Sequence, residues 1–342
     1  MQKKNNIGWI TNLRVIATIS VIIVHVSMDT RYNNALYADL IYGGLARFCV
    51  PVFVMISGAL LLPRQQPTGV FTKKWLVKIL VPFLFWNIPY IVYNLRKRMS
   101  HGETFTLFQS LSEGYSYFTQ NTNSFHFWYI YMIAGVYLFI PIIGQWARKA
   151  NEKELLYFLI IWFVALCIQL PALSFLRTSF DLYYFTGYLG FLILGYYLSV
   201  AQFNYSVWQA ALIALTGYSA TAGLTYYYSK QSNSFVHTYY DYLRPNIVIL
   251  SVGVFLLVKK LNLDFFQSKV LAVISANISK HSYGIYLIHW LVILELNKYG
   301  IGFWLITPVL GIPITVACCL SVSFGCVWAM SKLPIVGKYV SG

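Results

Sequence analysis

Two ionisable side chains interrupt the first apolar stretch of the chain, LRVIATISVIIVHVSMD over Leu13–Asp29: the guanidinium of Arg14 and the imidazole of His25. Eleven residues separate them. At about 100° per residue that is three helical turns plus roughly 20°, so both fall on one face of a helix. At about 1.5 Å per residue they stand about 16 Å apart along the axis, roughly half the depth of a bilayer core. Ionisable groups inside a spanning helix are costly and usually face an interior cavity that uses them. An imidazole exchanges a proton near neutral pH, and a guanidinium holds an anion in fixed geometry. Asp29 lies one further turn along the same face, within reach of His25.

Other groups of this kind recur downstream. Arg47 lies several residues into the second apolar stretch, within RFCVPVFVMISG, and suits an anionic group. His126 and Trp128 open the fourth, HFWYIYMIAGVYLFIPII, where Trp128 and Tyr129 also fit an interfacial aromatic belt. Tyr283, Tyr286 and His289 are spaced by three in SKHSYGIYLIHWLVILEL, so they line one stripe with His289 near mid-membrane, while Glu295 falls elsewhere on that helix. Lys73, Lys74 and Lys78 cluster in FTKKWLVKILVPF. They either anchor the membrane boundary or meet the phosphates of a cytosolic ligand. Ser57-Gly58, Gly187, Gly190 and Gly195 read as positions of close helix packing.

The elements that must position these residues are membrane helices. The 342 residues are 58% hydrophobic and 10% charged, with mean hydropathy +0.61; soluble domains carry about 25% charged residues. The expectation is an all-α polytopic bundle, a single domain over 1–342, of about ten spans near 9–28, 41–62, 79–95, 126–144, 155–173, 184–200, 207–228, 244–261, 282–299 and 303–330. The first span is too long and too interrupted for a cleaved leader. With the N-terminus inside, 15 of the 25 lysines and arginines fall at the inner boundary and 8 at the outer, which places both termini in the cytoplasm. The outer Arg96–Lys97–Arg98 cluster runs against that assignment. Residues 99–125 form the longest outer loop, which could cap the bundle or meet an acceptor. The net charge of +15 is scattered over short loops, which excludes a nucleic-acid partner and leaves membrane lipids as the surroundings. Cys49, Cys167, Cys318, Cys319 and Cys326 all sit in apolar segments without a CxxC pair, so they read as core residues and no metal is expected.

In order along the chain, Arg14-x10-His25, RFCVPVFVMISG, FHFWYIYMIAGVYLFIP, FLILGYYLS and SYGIYLIHWL resemble the signature of the membrane acyltransferase-3 family, most closely its bacterial sugar O-acetyltransferase branch. The resemblance covers about nine tenths of the chain. It implies an integral protein of the bacterial inner membrane that moves an acetyl group from cytosolic acetyl-CoA to a hydroxyl of a cell-envelope glycan or lipid-linked sugar. His25 would then activate the acceptor or carry the acyl group, with Asp29 orienting its ring and Arg14 meeting the thioester carbonyl oxygen or a pantetheine-linked phosphate. Lys73, Lys74 and Lys78 would hold the CoA phosphates, and Arg47, His126, Trp128, Tyr283, Tyr286 and His289 the acceptor. The family often carries an Arg-x-x-Arg pair where this chain has the three lysines before Pro82, and lysine lacks the planar fork of arginine. A transporter of a small polar solute or glycan intermediate is the competing class, although no matching pair of Gly/Pro-broken spans supports it. A structural partner in an envelope assembly is third. Association with a second copy is left open.

Overall fold

A computed structural model describes residues 2–31, 35–120, 123–176, 182, 185–261, 269–334 and 337–340, and their side chains other than those of 2–7, 31, 269, 338 and 340. Arg177 and the side chains of Lys3, Lys4, Arg31, Lys269 and Lys338, on which the expected topology partly rests, lie outside the described set. The described elements are helical: α1 (Gln2–Ser27), α2 (Leu36–Ala46), α3 (Cys49–Leu61), α4 (Thr68–Ser100), α5 (Leu107–Thr119), α6 (Trp128–Lys149), α7 (Glu152–Ile168), α8 (Leu189–Val200), α9 (Val207–Ser232), α10 (Pro245–Leu261), α11 (Lys269–Lys298), α12 (Pro308–Ser331) and the short α13 (Gly337–Val340).

The protein is a helical membrane bundle. Among the described residues six segments are long and apolar enough to cross a membrane: Gly8–Thr30, Leu36–Leu61, Thr68–Ser100, Phe125–Lys149, Thr238–Leu261 and Pro308–Ser331. The other four expected spans coincide with α7, α8, α9 and α11. Of these, α8 has 12 residues, only about 18 Å of helix. Apolar side chains that face outward are arranged for lipid. On α4, Val77, Val81, Leu84, Ile88 and Val92 form an exposed stripe at helical spacing, and Leu138, Ile142 and Trp146 do the same on α6.

At the centre stands α1, packed against α2, α3, α10, α11 and α12, with Leu13 and Ala17 fully buried. The second expected span is not one helix. It is interrupted at Arg47 and Phe48, which keep right-handed helical backbone, between α2 and α3; the α2 side is held by a buried polar contact, in which Ser27 Oγ donates to Asp39 Oδ1 at 2.9 Å. Gly43 makes that contact possible, since a Cβ there would lie 2.2 Å from Asp39 Oδ1. Close crossing of α3 and α8 likewise needs Gly58 and Gly195, where a Cβ would stand 1.9 Å from the Leu192 carbonyl oxygen and 2.1 Å from that of Met55. Gly187, expected to pack as these do, has nothing within 4 Å of its Cβ direction; its carbonyl instead accepts from Trp162 Nε1 at 3.0 Å. The last span starts at Pro308 rather than 303, after a turn in which Ile306 takes φ 70°.

The long loop after α4 holds α5, opened by a Thr106/Gln109 capping box. Leu107, Phe108, Leu111 and Tyr115 are exposed along one side of α5, the pattern of a helix lying at a membrane interface. Arg98 ties this loop down through Glu103 at 2.6 Å and Glu113 at 2.8 Å, and the guanidinium holds the Glu103 carboxyl below its usual range. Of the Arg96–Lys97–Arg98 cluster, Arg98 is thus matched by two carboxylates, while Arg96 and Lys97 are exposed. Among the described cysteines Cys49 and Cys319 are core residues, whereas Cys326 is exposed.

Candidate functional site

The Arg14 end of α1 opens into a cavity of about 270 Å³. Its rim carries Lys78 from α4 and Lys280 from α11, with Trp75 between α4 and the interior. Phe53, Ile56 and Ser57 from α3 wall it on one side, and Tyr129, Ile133 and Tyr137 from α6 on another; Tyr283 and Tyr286 of α11 close its depth. Tyr129 and Tyr137 lie within electrostatic reach of Arg14. Ser57 Oγ and Tyr137 Oη share a hydrogen bond of 2.9 Å. Lys74 and Lys78 flank the Trp75 ring, their Nζ atoms 5.9 and 5.3 Å from its centroid. Of the three expected lysines only Lys78 lines the cavity. Lys73 and Lys74 are exposed on the same turn of α4.

Tyrosine hydroxyls fix the α11 stripe. Tyr283 donates to the Ile79 carbonyl at 2.7 Å, and Tyr286 donates to the His126 carbonyl. The two rings stack with centroids 6.5 Å apart and planes 7° apart. One turn beyond, Tyr286 meets His289 at 5.7 Å and His126 at 5.5 Å. There three imidazoles converge. The His25 ring lies 5.0 Å from His289 and 6.0 Å from His126, and His126 lies 5.0 Å from His289. Phe125 and Trp290 pack against His25 at 5.1 and 6.1 Å. Two helices, α1 and α11, and a short 3-10 turn over Phe125–Phe127 therefore bring together residues 25, 126 and 289 of the sequence. Among the described residues no three His, Cys, Asp or Glu are grouped to hold a metal ion.

The hydrogen bonds assign the protons in part. His289 Nδ1 is 2.6 Å from the Tyr286 carbonyl. A carbonyl only accepts, so Nδ1 carries the hydrogen, and Nε2 of the neutral ring is left as an acceptor. That Nε2 is buried without a partner. His126 is similar in outline: its Nδ1 pairs with Ser124 Oγ at 2.7 Å, and its Nε2 is buried and unpartnered. Both atoms are desolvated acceptors or donors that the surrounding side chains leave unsatisfied. Asp29 lies partly buried in the 3-10 turn Met28–Arg31, one turn past His25.

The acceptor residues expected from the sequence divide over three places. Tyr283 and Tyr286 belong to the Arg14 cavity, and His126 and His289 to the imidazole cluster. Arg47 and Trp128 line a second pocket, of about 590 Å³, with Tyr188, Tyr240, Tyr242 and Arg244. Trp128 follows His126 by two residues, so that pocket and the cluster share one turn of backbone. Ser57, Trp75, Tyr129, Tyr137 and Lys280 of the cavity were not singled out from the sequence as site residues. Each sits at ordinary helix spacing, and the one available signal was that Ser57 and Tyr137 are polar groups deep within apolar spans.

A family model described as an acyltransferase domain, that of acyltransferase-3, matches residues 7–329. No curated protein and no solved structure matches the chain. The matched stretch runs from α1 to the last turn of α12 and takes in both ends of the cavity as well as all three imidazoles. The chain belongs to the acyltransferase-3 family of membrane acyltransferases.

Proposed function

We propose that the protein is an O-acetyltransferase of the bacterial inner membrane, taking an acetyl group from cytosolic acetyl-CoA and placing it on a hydroxyl of a cell-envelope glycan or lipid-linked sugar. The observation that carries this reading is a chain of side-chain neighbours: Lys78 and Lys280 at the mouth of the cavity, Arg14, Tyr283 and Tyr286 on its wall, and His126, His289 and His25 packed behind Tyr286 by ring contacts. Cations at the mouth suit phosphates outside the cavity, and the narrow aromatic passage suits the apolar arm of a thioester. The buried Trp75 Nε1, a donor without a partner on the cavity wall, suits an amide carbonyl of such an arm.

Acyl transfer requires the acceptor hydroxyl to lose a proton as its oxygen bonds to the carbonyl carbon, while the carbon–sulfur bond breaks and the thiol leaves with a proton. His25, the least buried of the three imidazoles, acts at the reacting centre as base or as the nitrogen that carries the acyl group. Asp29 orients it. Arg14 holds negative charge on the carbonyl oxygen or on a phosphate in the passage.

The test is release of CoA thiol from acetyl-CoA by the purified protein in nanodiscs, with and without lipid-linked sugar extracts. His25→Ala should lower turnover by about 10²–10⁴ while CoA still binds, the range expected for a positioned base. Arg14→Lys, which keeps charge and loses the fork, should be clearly impaired, and Asp29→Asn only mildly so. Full transfer by a folded His25→Ala protein removes the assignment. Solute flux without thioester turnover points to transport instead.

A further inference from the structure

Arg47 is a charge in an unusual setting. Its side chain is nine-tenths buried at the junction of α2 and α3, and its Nε is buried with no hydrogen-bond partner. The guanidinium carbon lies 4.6 Å from the centroid of the Tyr240 ring and 5.4 Å from that of Tyr242, so aromatic faces support it from within. Asp39 is close enough to act on it electrostatically, but Asp39 Oδ1 is already taken by Ser27. A guanidinium has five donors in a fixed fork, and desolvating them without acceptors is costly. Such a group is stable when an anion of matching planar geometry completes it.

The space in front of Arg47 is shaped for such a partner. It is the pocket of about 590 Å³ described above. One wall is an aromatic platform, Trp128 stacked on Tyr242 with centroids 5.7 Å apart and planes 28° apart. At the rim a second guanidinium, Arg244, is anchored by the carbonyls of Thr238 at 3.1 Å and Gln169 at 3.0 Å, with Asp241 3.6 Å away. Flat aromatic faces receive the C–H face of a pyranose ring, and the Arg47 fork, with a buried donor left unpartnered, receives an anionic substituent, while Arg244, already engaged, adds positive charge to the lining.

We propose that this pocket binds an acidic sugar, with its carboxylate or phosphate in the fork of Arg47 and its ring against Trp128 and Tyr242. That this sugar is the acyl acceptor rests on the acetyltransferase reading; the anion site itself does not. The place is suitable for an acceptor, because the backbone turn that carries Trp128 into the pocket carries His126 into the imidazole cluster.

The experiment is saturation-transfer NMR on the full chain in nanodiscs, with methyl glucuronide, glucose 1-phosphate and methyl glucoside as probes. At least one acid should bind about tenfold or more tightly than the neutral glucoside, the size of a charge-assisted hydrogen bond, and the preference should shrink with added salt. Whichever acid binds better identifies carboxylate or phosphate as the recognised group. Arg47→Gln should abolish the preference. Arg47→Lys, which keeps the charge and so keeps Asp39 company if the glutamine variant fails to fold, should lose about tenfold. Equal binding of all three sugars, binding of neither acid, or an undiminished preference in Arg47→Lys would each overturn the proposal. Wild-type protein that binds an acid but turns over no thioester leaves the site standing and removes the acetyltransferase reading. Turnover without acid binding does the reverse.

Discussion

At the scale of single residues, His289 divides into two nitrogens with different jobs. Nδ1 donates to the Tyr286 carbonyl and fixes the ring; Nε2 faces the cluster without a partner. Asparagine reproduces the inner donor and lacks the outer acceptor, whereas glutamine reaches the outer position with an amide that cannot take a proton. If the ring assists proton transfer, His289→Asn should fold as wild type does and lose about 10²-fold in acetyl-CoA turnover, and His289→Gln should lose activity as well. A purely structural ring predicts that activity tracks melting temperature in both variants, which thermal melting alongside turnover decides. Arg14, His25 and the Tyr283–Tyr286–His289 stripe were legible in the sequence because their relation is set by helical repeat alone. The meeting of His25 with His126 and His289 was not, because which helices become neighbours depends on packing that no local spacing encodes. Ser57 illustrates the same limit: beside Gly58 it read as a packing residue, yet its hydroxyl bonds Tyr137 on the cavity wall.

At the scale of elements, the close crossing of α3 and α8 decides whether the cavity exists, since Phe53, Ile56 and Ser57 of α3 form one of its walls. Gly58→Ala would push a methyl into the Leu192 carbonyl, 1.9 Å from the ideal Cβ, and should cost about 1–3 kcal/mol as other overpacked sites do. Gly187→Ala meets nothing and should stay within about 0.5 kcal/mol of wild type. Thermal melting of the two purified variants checks the contrast, and an equal shift for both would contradict the described crossing. Both glycines looked alike in the sequence, as did the second span, which read as one apolar run over 41–62. Its interruption at Arg47 and Phe48 is slight, both residues keeping right-handed helical backbone, and so leaves no proline or glycine signal at the break itself. The helix α5 was hidden for the opposite reason: its surroundings are polar, so a hydropathy window passes over it.

At the scale of the whole molecule, the described ion pairs gather at one end, although Arg96 and Lys97 stand exposed there as well. At the end that carries Trp128 and α5, Arg98, Arg244 and Lys298 are each held by a carboxylate, at 2.6, 3.6 and 2.7 Å at the nearest. At the other end Lys73, Lys74, Lys78 and Lys280 stand exposed on α4 and α11. Uncompensated cations are the kind that hold a terminus in the cytoplasm. Single cysteines placed at Gln65 and at His101, in a background lacking the five native cysteines, should therefore label differently in intact cells. A membrane-impermeant thiol reagent should reach position 101 and not 65; the reverse pattern would invert the topology. Composition made the helical bundle readable from the sequence, and loop charge supplied the orientation that the labelling tests. They could not fix the number of crossings, because α8 is short and α7, α9 and α11 carry too little apolar length or too many charges to meet a simple hydropathy test.

The cavity at Arg14 measures about 270 Å³, just under the range of about 300–1,000 Å³ that encloses a small-molecule ligand whole. For a donor entering here, the reading head of the enzyme touches only the tail of the molecule, and the nucleotide stays outside on the lysine rim. On the proposed reading two kinds of choosiness would thereby be uncoupled. A few exposed cations, permissive by nature, would accept the carrier of the thioester. Phe53, Ile56 and Ile133, apolar walls of the cavity, would limit how long an acyl chain is admitted. A relative with smaller side chains at those three positions would handle longer acyl groups on the same carrier, with the imidazoles and the arginine unaltered.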